Sequence, residues 1–300
     1  MKNQNKDYAF ILNPHAGIGK PKKEWPVIQR ILKEKKMGGK VVFTKSHNQA
    51  VTLAKKYSDD GYKNIIAIGG DGTLNEIING IFQSSKKDKV NIGLIPLGSG
   101  NDFANGIGLS SDIEENIERI RIGQTVKYDV GNIEDLYFIN SLGIGFDALV
   151  SANANKIKKL KGLPKYLWAV IKTLKSLKPY SVDIKIRNYS ISRNILLISI
   201  GNSNLTRGGF KLSPNAKPND QLFDITIIDS LSKYKVLTLL PKAISGKHLS
   251  NKAVTTIQSD HIEITSDTPL PVYMDGEIPE LENPKNITVK VIPSAINFLF

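Results

Sequence analysis

Asn64-Ile65-Ile66-Ala67-Ile68-Gly69-Gly70-Asp71-Gly72-Thr73-Leu74-Asn75-Glu76-Ile77-Ile78 decides the fold of this chain. The apolar run at 65–68 reads as a short buried strand. Leu74, Ile77, Ile78 and Ile81 then fall at i, i+3, i+4 and i+7, the stripe of a helix packed on a sheet. A buried strand that enters a glycine turn and then a helix start is a natural phosphate site. Glycines let the backbone approach an anion, and helix N-terminal N–H groups favour negative charge. Asp71 would repel a phosphate unless a metal or a positioned water intervenes. Without a ligand, the same pentapeptide is an ordinary strand-to-helix turn capped by Asp.

Outward from this stretch the pattern repeats. Residues 8–13, 40–44 and 91–97 read as strands, and 24–36 and 48–60 as helices, with 73–81 between the third and fourth strands. Ser111-Asp112-Ile113-Glu114 reads as a capping box, followed by Ile113, Ile117 and Ile120 on one face. Such alternation predicts a parallel sheet covered on both sides. Two more glycine turns follow the first and fourth strands: Asn13-Pro14-His15-Ala16-Gly17-Ile18-Gly19-Lys20 and Leu97-Gly98-Ser99-Gly100-Asn101-Asp102. Three such turns share the carboxyl edge of the sheet, where open α/β sheets bind ligands. Neither a Walker A loop nor a G-x-G-x-x-G fingerprint is present.

After about residue 124 the texture changes. Residues 127–133, 137–142, 181–187, 191–200, 222–229, 257–265, 270–274 and 287–292 read as strands. Val182-Asp183-Ile184-Lys185-Ile186 alternates with the period of a half-exposed antiparallel strand. Helical patterns interrupt at 146–173, broken at Gly162 and Pro164, and at 233–245. The expected organisation is a Rossmann-like parallel α/β domain at 1–125 and a mostly antiparallel β-sandwich at 126–300, with the last residues returning to the first domain.

Composition narrows the function. The 300 residues contain no cysteine, which excludes disulfides, a cysteine nucleophile and thiolate metal sites. The polar start, with only a short apolar run after it, predicts no signal peptide, and no stretch approaches the ~20 apolar residues that span a bilayer. A cytoplasmic protein, free or on a membrane surface, is expected. The formal charge of +13 suits phosphorylated substrates, anionic lipid or nucleic acid, or reflects a lysine-rich genome.

The three turns, in this order and spacing, resemble the catalytic domain of the diacylglycerol-kinase and sphingosine-kinase superfamily, and are most similar to its soluble bacterial lipid kinases. That resemblance implies an ATP- and Mg²⁺-dependent kinase. It places Asn13, Pro14, His15, Ala16, Gly17, Thr44, Gly69, Gly70, Asp71, Gly72, Thr73, Leu74, Asn75 and Ser99 at the ATP site. Ser99 stands where Thr is common and keeps the hydroxyl. Asn105 stands where these kinases often carry Arg.

Phosphoryl transfer needs a metal at the phosphates and a carboxylate at the attacking hydroxyl. Tyr273-Met274-Asp275-Gly276-Glu277 sets two acids around a glycine, a pattern that by itself is a turn. The resemblance assigns Glu277 as general base, with Asp275 and Asp71 as further catalytic carboxylates. Lys217-Pro218-Asn219-Asp220-Gln221-Leu222 reads as a hairpin loop whose oxygens suit a hard cation. The resemblance implies a Mg²⁺ held by the Asp220 side chain and the carbonyls of Lys217 and Leu222.

No acidic residue occurs from Ala148 to Val182, while Lys156, Lys158, Lys159, Lys161, Lys165, Lys172, Lys175 and Lys178 alternate with Leu, Tyr and Trp. The stretch reads as a contact for anionic lipid, or as a solvated face over a packed one. No zinc motif, helix-turn-helix or aromatic platform argues for nucleic acid. An exposed sandwich edge would allow a homodimer. Diacylglycerol is the expected acceptor. A NAD kinase shares Gly69-Gly70-Asp71-Gly72-Thr73, and a kinase of another small molecule or a non-catalytic lipid- or nucleotide-binding regulator would keep the same fold.

Overall fold

β1 (Tyr8–Leu12), β2 (Lys40–Phe43), β3 (Asn64–Gly69) and β4 (Asn91–Pro96) form a parallel sheet in the order β2-β1-β3-β4. Its register pairs Phe10 with Val41 and with Ile66, and Ile66 with Gly93. α1 (Lys20–Glu34), α2 (Gln49–Asp59), α3 (Asp71–Phe82), α4 (Asp102–Gly106) and α5 (Ile113–Ile122) connect and cover the strands. Phe10, Leu12, Ile66 and Ile68 pack with Ile28, Ile31 and Leu32 of α1 and with Ile117 and Ile120 of α5. The alternate residues Ala9, Ile11, Ile65 and Ala67 are equally buried, as period-two geometry requires of a sheet covered on both faces.

The computed structural model describes residues 6–157, 159–160, 162–187, 189–204 and 210–300. It divides into Met1–Tyr128 with Ser294–Phe300, and Asp129–Pro293. In the first unit, Asn297 and Phe298 pair in parallel with Asn91 and Ile92. Lys158 and Lys161 lie outside the described residues.

The second unit begins within β5 (Thr125–Ile133) and continues with β6 (Leu136–Phe138), β7 (Ser141–Gly145), α6 (Phe146–Asn155), α7 (Gly162–Thr173), β8 (Tyr180–Ile186) and β9 (Tyr189–Gly201). β10 (Phe223–Asp229), α8 (Lys233–Ser245), β11 (Val254–Ser259), β12 (His261–Thr265), β13 (Val272–Met274) and the first part of β14 (Asn286–Leu299) complete it. Its strands pair antiparallel. β9 is shared: its first half pairs with β8 and its second with β7, from Ser141–Gly201 to Gly145–Leu197. Ile184, Ile198, Ile225, Ile264 and Val289 fill the core that results. The fold is thus a parallel α/β domain followed by an antiparallel sandwich.

Several boundaries differ from the sequence reading. The stretch at 137–142 is two strands, because Ile139 and Asn140 turn their N–H groups to a carboxylate. The run at 257–265 breaks at Asp260 into β11 and β12. Pro164 does not break α7 but sits in its first turn, where a missing N–H is harmless. The cap of α5 is Asp112, not Ser111: its Oδ1 accepts the N–H of Glu115 at 2.8 Å.

Candidate active site

In the first unit the three glycine turns meet. The Asn13 N–H donates to the Ile68 carbonyl at 3.0 Å, and the Leu97 N–H to the Gly69 carbonyl at 2.6 Å. Asn13 Nδ2 reaches Thr73 Oγ1 at 3.2 Å, while its Oδ1 accepts the His15 N–H at 3.0 Å. A Cβ on Gly70 would lie 2.7 Å from the Gly98 Cα, and one on Gly17, at φ +53°, would collide with the Leu97 carbonyl. Only glycine permits contacts this close. The space beside Gly72 is open, with no atom within 4 Å of where a Cβ would stand. The start of α3 therefore borders a gap at Gly72, and the free N–H groups of a helix start suit a phosphate.

Asp71 does not point an idle carboxylate into that gap. Its Oδ2 and Oδ1 accept the N–H groups of Asp102 and Phe103, both at 3.0 Å, and so close the start of α4. Asn101, at φ +54°, completes the third turn through Oδ1 to the Gly98 N–H at 2.8 Å. Asn105 donates to the Gly100 carbonyl at 3.1 Å, so its amide ties the turn. Ser99 and His15 are exposed, Thr44 is buried with its N–H on the Leu12 carbonyl, and the Asn75 Oδ1 accepts from Asn79. Leu74 is core.

In the second unit Met274-Asp275-Gly276-Glu277 is a two-residue hairpin turn. Met274 and Glu277 exchange both backbone hydrogen bonds at 2.9 Å, and Asp275 and Gly276 take φ of +45° and +102°. Asp-Gly is the pair such a turn prefers. The Asp275 carboxylate is buried and accepts three N–H groups, from Ile139 at 2.7 Å and from Asn140 and Ser141 at 2.9 Å. Glu277 is exposed and its carboxylate has no partner among the described residues. Two acids that look equivalent in sequence therefore differ: one is consumed by the turn, the other is presented by it.

The loop at 217–222 is braced by a residue the sequence reading passed over. Buried Asp129 donates its N–H to the Pro218 carbonyl and accepts the Gln221 N–H on Oδ2, both at 2.7 Å. Asn202 Nδ2 in turn holds the Asp129 carbonyl at 3.0 Å. Asp129 stands between Tyr128 and Val130 in a strand that also carries Thr125, Lys127 and Asn132, so nothing local singled it out. Asp220 Oδ1 accepts the Leu222 N–H at 3.1 Å, and Oδ2 has no hydrogen bond among the described residues. Burial, and then the charge of Asp220, push the Asp224 carboxyl above its ordinary range. No group of three acidic or imidazole ligands exists among the described residues, so an ion here would need backbone carbonyls such as those of Lys217 and Leu222.

α6, α7 and α8 cover one face of β9 and β10 and line a half-open apolar cavity of about 70 Å³. Phe146, Val150, Tyr166, Val170, Leu239 and Leu240 are among its walls. No helix among the described residues is long and apolar enough to cross a membrane.

Residues 7–133 match the diacylglycerol kinase catalytic domain, and residues 140–300 the YegS C-terminal NAD kinase beta sandwich-like domain. A diacylglycerol kinase of Staphylococcus carnosus is 30% identical over 271 residues, covering 89% of this chain and 87% of its own. Its counterpart from Staphylococcus aureus is 30% identical over 271 residues, covering 89% and 85%. A solved diacylglycerol kinase structure from Bacillus anthracis superposes with TM-score 0.74 at 19% identity, covering 98% of this chain and 97% of that one, a likeness of fold. With both halves matched and the paired turns in place, the chain belongs to the diacylglycerol kinase family of lipid kinases.

Proposed function

We propose that this enzyme transfers the γ-phosphate of ATP to the hydroxyl of a membrane lipid, diacylglycerol first among candidates, with phosphatidic acid as product. The observation that carries the reading is the backbone-to-backbone packing of the glycine turns beside the open start of α3. Asn13 to Gly17, Thr44, Gly69 to Asn75 and Ser99 would bind the nucleotide. Asp71 acts by holding the third turn. Glu277 takes the proton of the attacking hydroxyl, and Asp275 positions it by bracing the hairpin. Magnesium, when bound, supplies charge neutralisation at the phosphates; the 217–222 loop would hold a second ion through Asp220, Lys217 and Leu222.

The apolar cavity favours a lipid over NAD as acceptor, because an acyl chain gains from burial there and a dinucleotide does not. On α7, Trp168 and Ile171 are exposed among lysines, which supports contact with an anionic membrane surface. β11 is a sheet edge among the described residues, through which a homodimer could form.

The test is incubation of purified protein with γ-labelled ATP and Mg²⁺, in parallel arms containing diacylglycerol, total lipid extract or NAD. Labelled phosphatidic acid is the expected product. Labelled NADP without labelled lipid would replace the proposal with a NAD kinase.

A further inference from the structure

Between Asp229 and Asp260 the chain has no acidic residue, while Lys233, Lys235, Lys242, Lys247 and Lys252 fall within it. α8 lies in this stretch. Its inner side, with Val236, Leu239 and Ala243, is buried in the apolar layer and walls the cavity. Its outer side is not simply polar: Tyr234 is 75% and Leu237 43% exposed. They stand at i and i+3, and exposed Pro241 continues the row at i+7. A helix that met only water would gain nothing from that row.

The surroundings select the partner. A nucleic acid backbone would use the lysines and leave the apolar row in water, whereas an anionic bilayer uses both. Tyrosine suits the interface, its ring among the first acyl carbons and its hydroxyl in water. Lysines near the surface are attracted to anionic headgroups. We propose that the Tyr234–Leu237 face of α8 is a membrane-docking element in its own right, inserting shallowly into an anionic bilayer and bringing a wall of the apolar cavity to the lipid surface. This rests on the lipid-kinase reading and extends the docking surface beyond α7.

Tyr234→Trp, in the full chain with Trp25 and Trp168 replaced by Phe, places a single indole on the face. With vesicles of phosphatidylcholine and phosphatidylglycerol its emission should shift to shorter wavelength and be quenched by brominated acyl chains. Phosphatidylcholine vesicles alone should do neither. Both positions are exposed, so the double variant Tyr234→Ser, Leu237→Ser keeps the fold and should bind the anionic vesicles roughly tenfold more weakly in co-sedimentation. Undiminished binding by the double variant, an indole that stays in water, or a wild-type chain that ignores anionic vesicles would each overturn the proposal. The two readings fail separately. Docking through α8 without phosphorylation of any lipid removes the kinase assignment and leaves this one standing. Phosphorylation of detergent-dispersed diacylglycerol with an indole that never leaves water does the reverse.

Discussion

Gly70 and Gly98 stand backbone against backbone, with the Gly98 Cα 2.7 Å from where a Gly70 Cβ would be. The second and third glycine turns are thereby locked to each other. Gly98→Ala must push them apart. Overpacking of this kind costs about 1–3 kcal/mol, and the proposed nucleotide site should weaken with it. Thermal melting with and without ATP tests this: a variant that melts like wild type and is stabilised equally by ATP would contradict it.

Glu277 and Asp275 should separate cleanly under conservative substitution. Glu277→Gln is expected to lower kcat by about 10²–10⁴-fold and leave the melting temperature unchanged, since the side chain is exposed and unpartnered. Asp275→Asn should lower both, because one amide oxygen cannot serve three N–H groups, and each buried donor left over costs about 1–3 kcal/mol. Near-normal turnover by Glu277→Gln would remove it as the base.

Asp220→Asn should raise the Mg²⁺ concentration needed for half-maximal activity by roughly tenfold or more, as loss of a supporting ligand does elsewhere. The same change removes a charge beside Asp224, so the Asp224 carboxyl should titrate lower, nearer its ordinary value. A Mg²⁺ titration coincident with wild type would take the loop out of the site.

His248 gives the second unit a pH dependence. It is fully buried, and its Nε2 lies 3.1 Å from the Leu212 carbonyl. Burial holds its pKa below the ordinary histidine value. The unfolded chain therefore binds a proton more readily, and stability is lost as pH falls below about 6.5. Melting temperatures across that range should decline, and His248→Gln should flatten the decline; an unchanged slope would show that other groups cause it.

The strand–turn–helix at 64–78 was legible because its signals are local: an apolar run, three glycines and a helical stripe within fifteen residues. The antiparallel second half was legible for the same reason, as in the buried–exposed alternation of β8. The strand break at 139–140 was not, because its cause is a carboxylate 136 positions away. Asp129 was equally hidden, since its partner Gln221 is 92 positions on.

Residue pattern alone settled the fold class and the three glycine turns, which depend on neighbours a few positions apart, while the acids were singled out by the family resemblance that those turns carry. Tertiary structure decided which acid is spent and which is offered, since Asp275 and Glu277 differ only in the N–H groups that long-range folding brings to them. It also decided that Val236 is core and Leu237 is surface. Adjacent apolar residues on one helix look alike until the layer beneath the helix is in place to bury one of them.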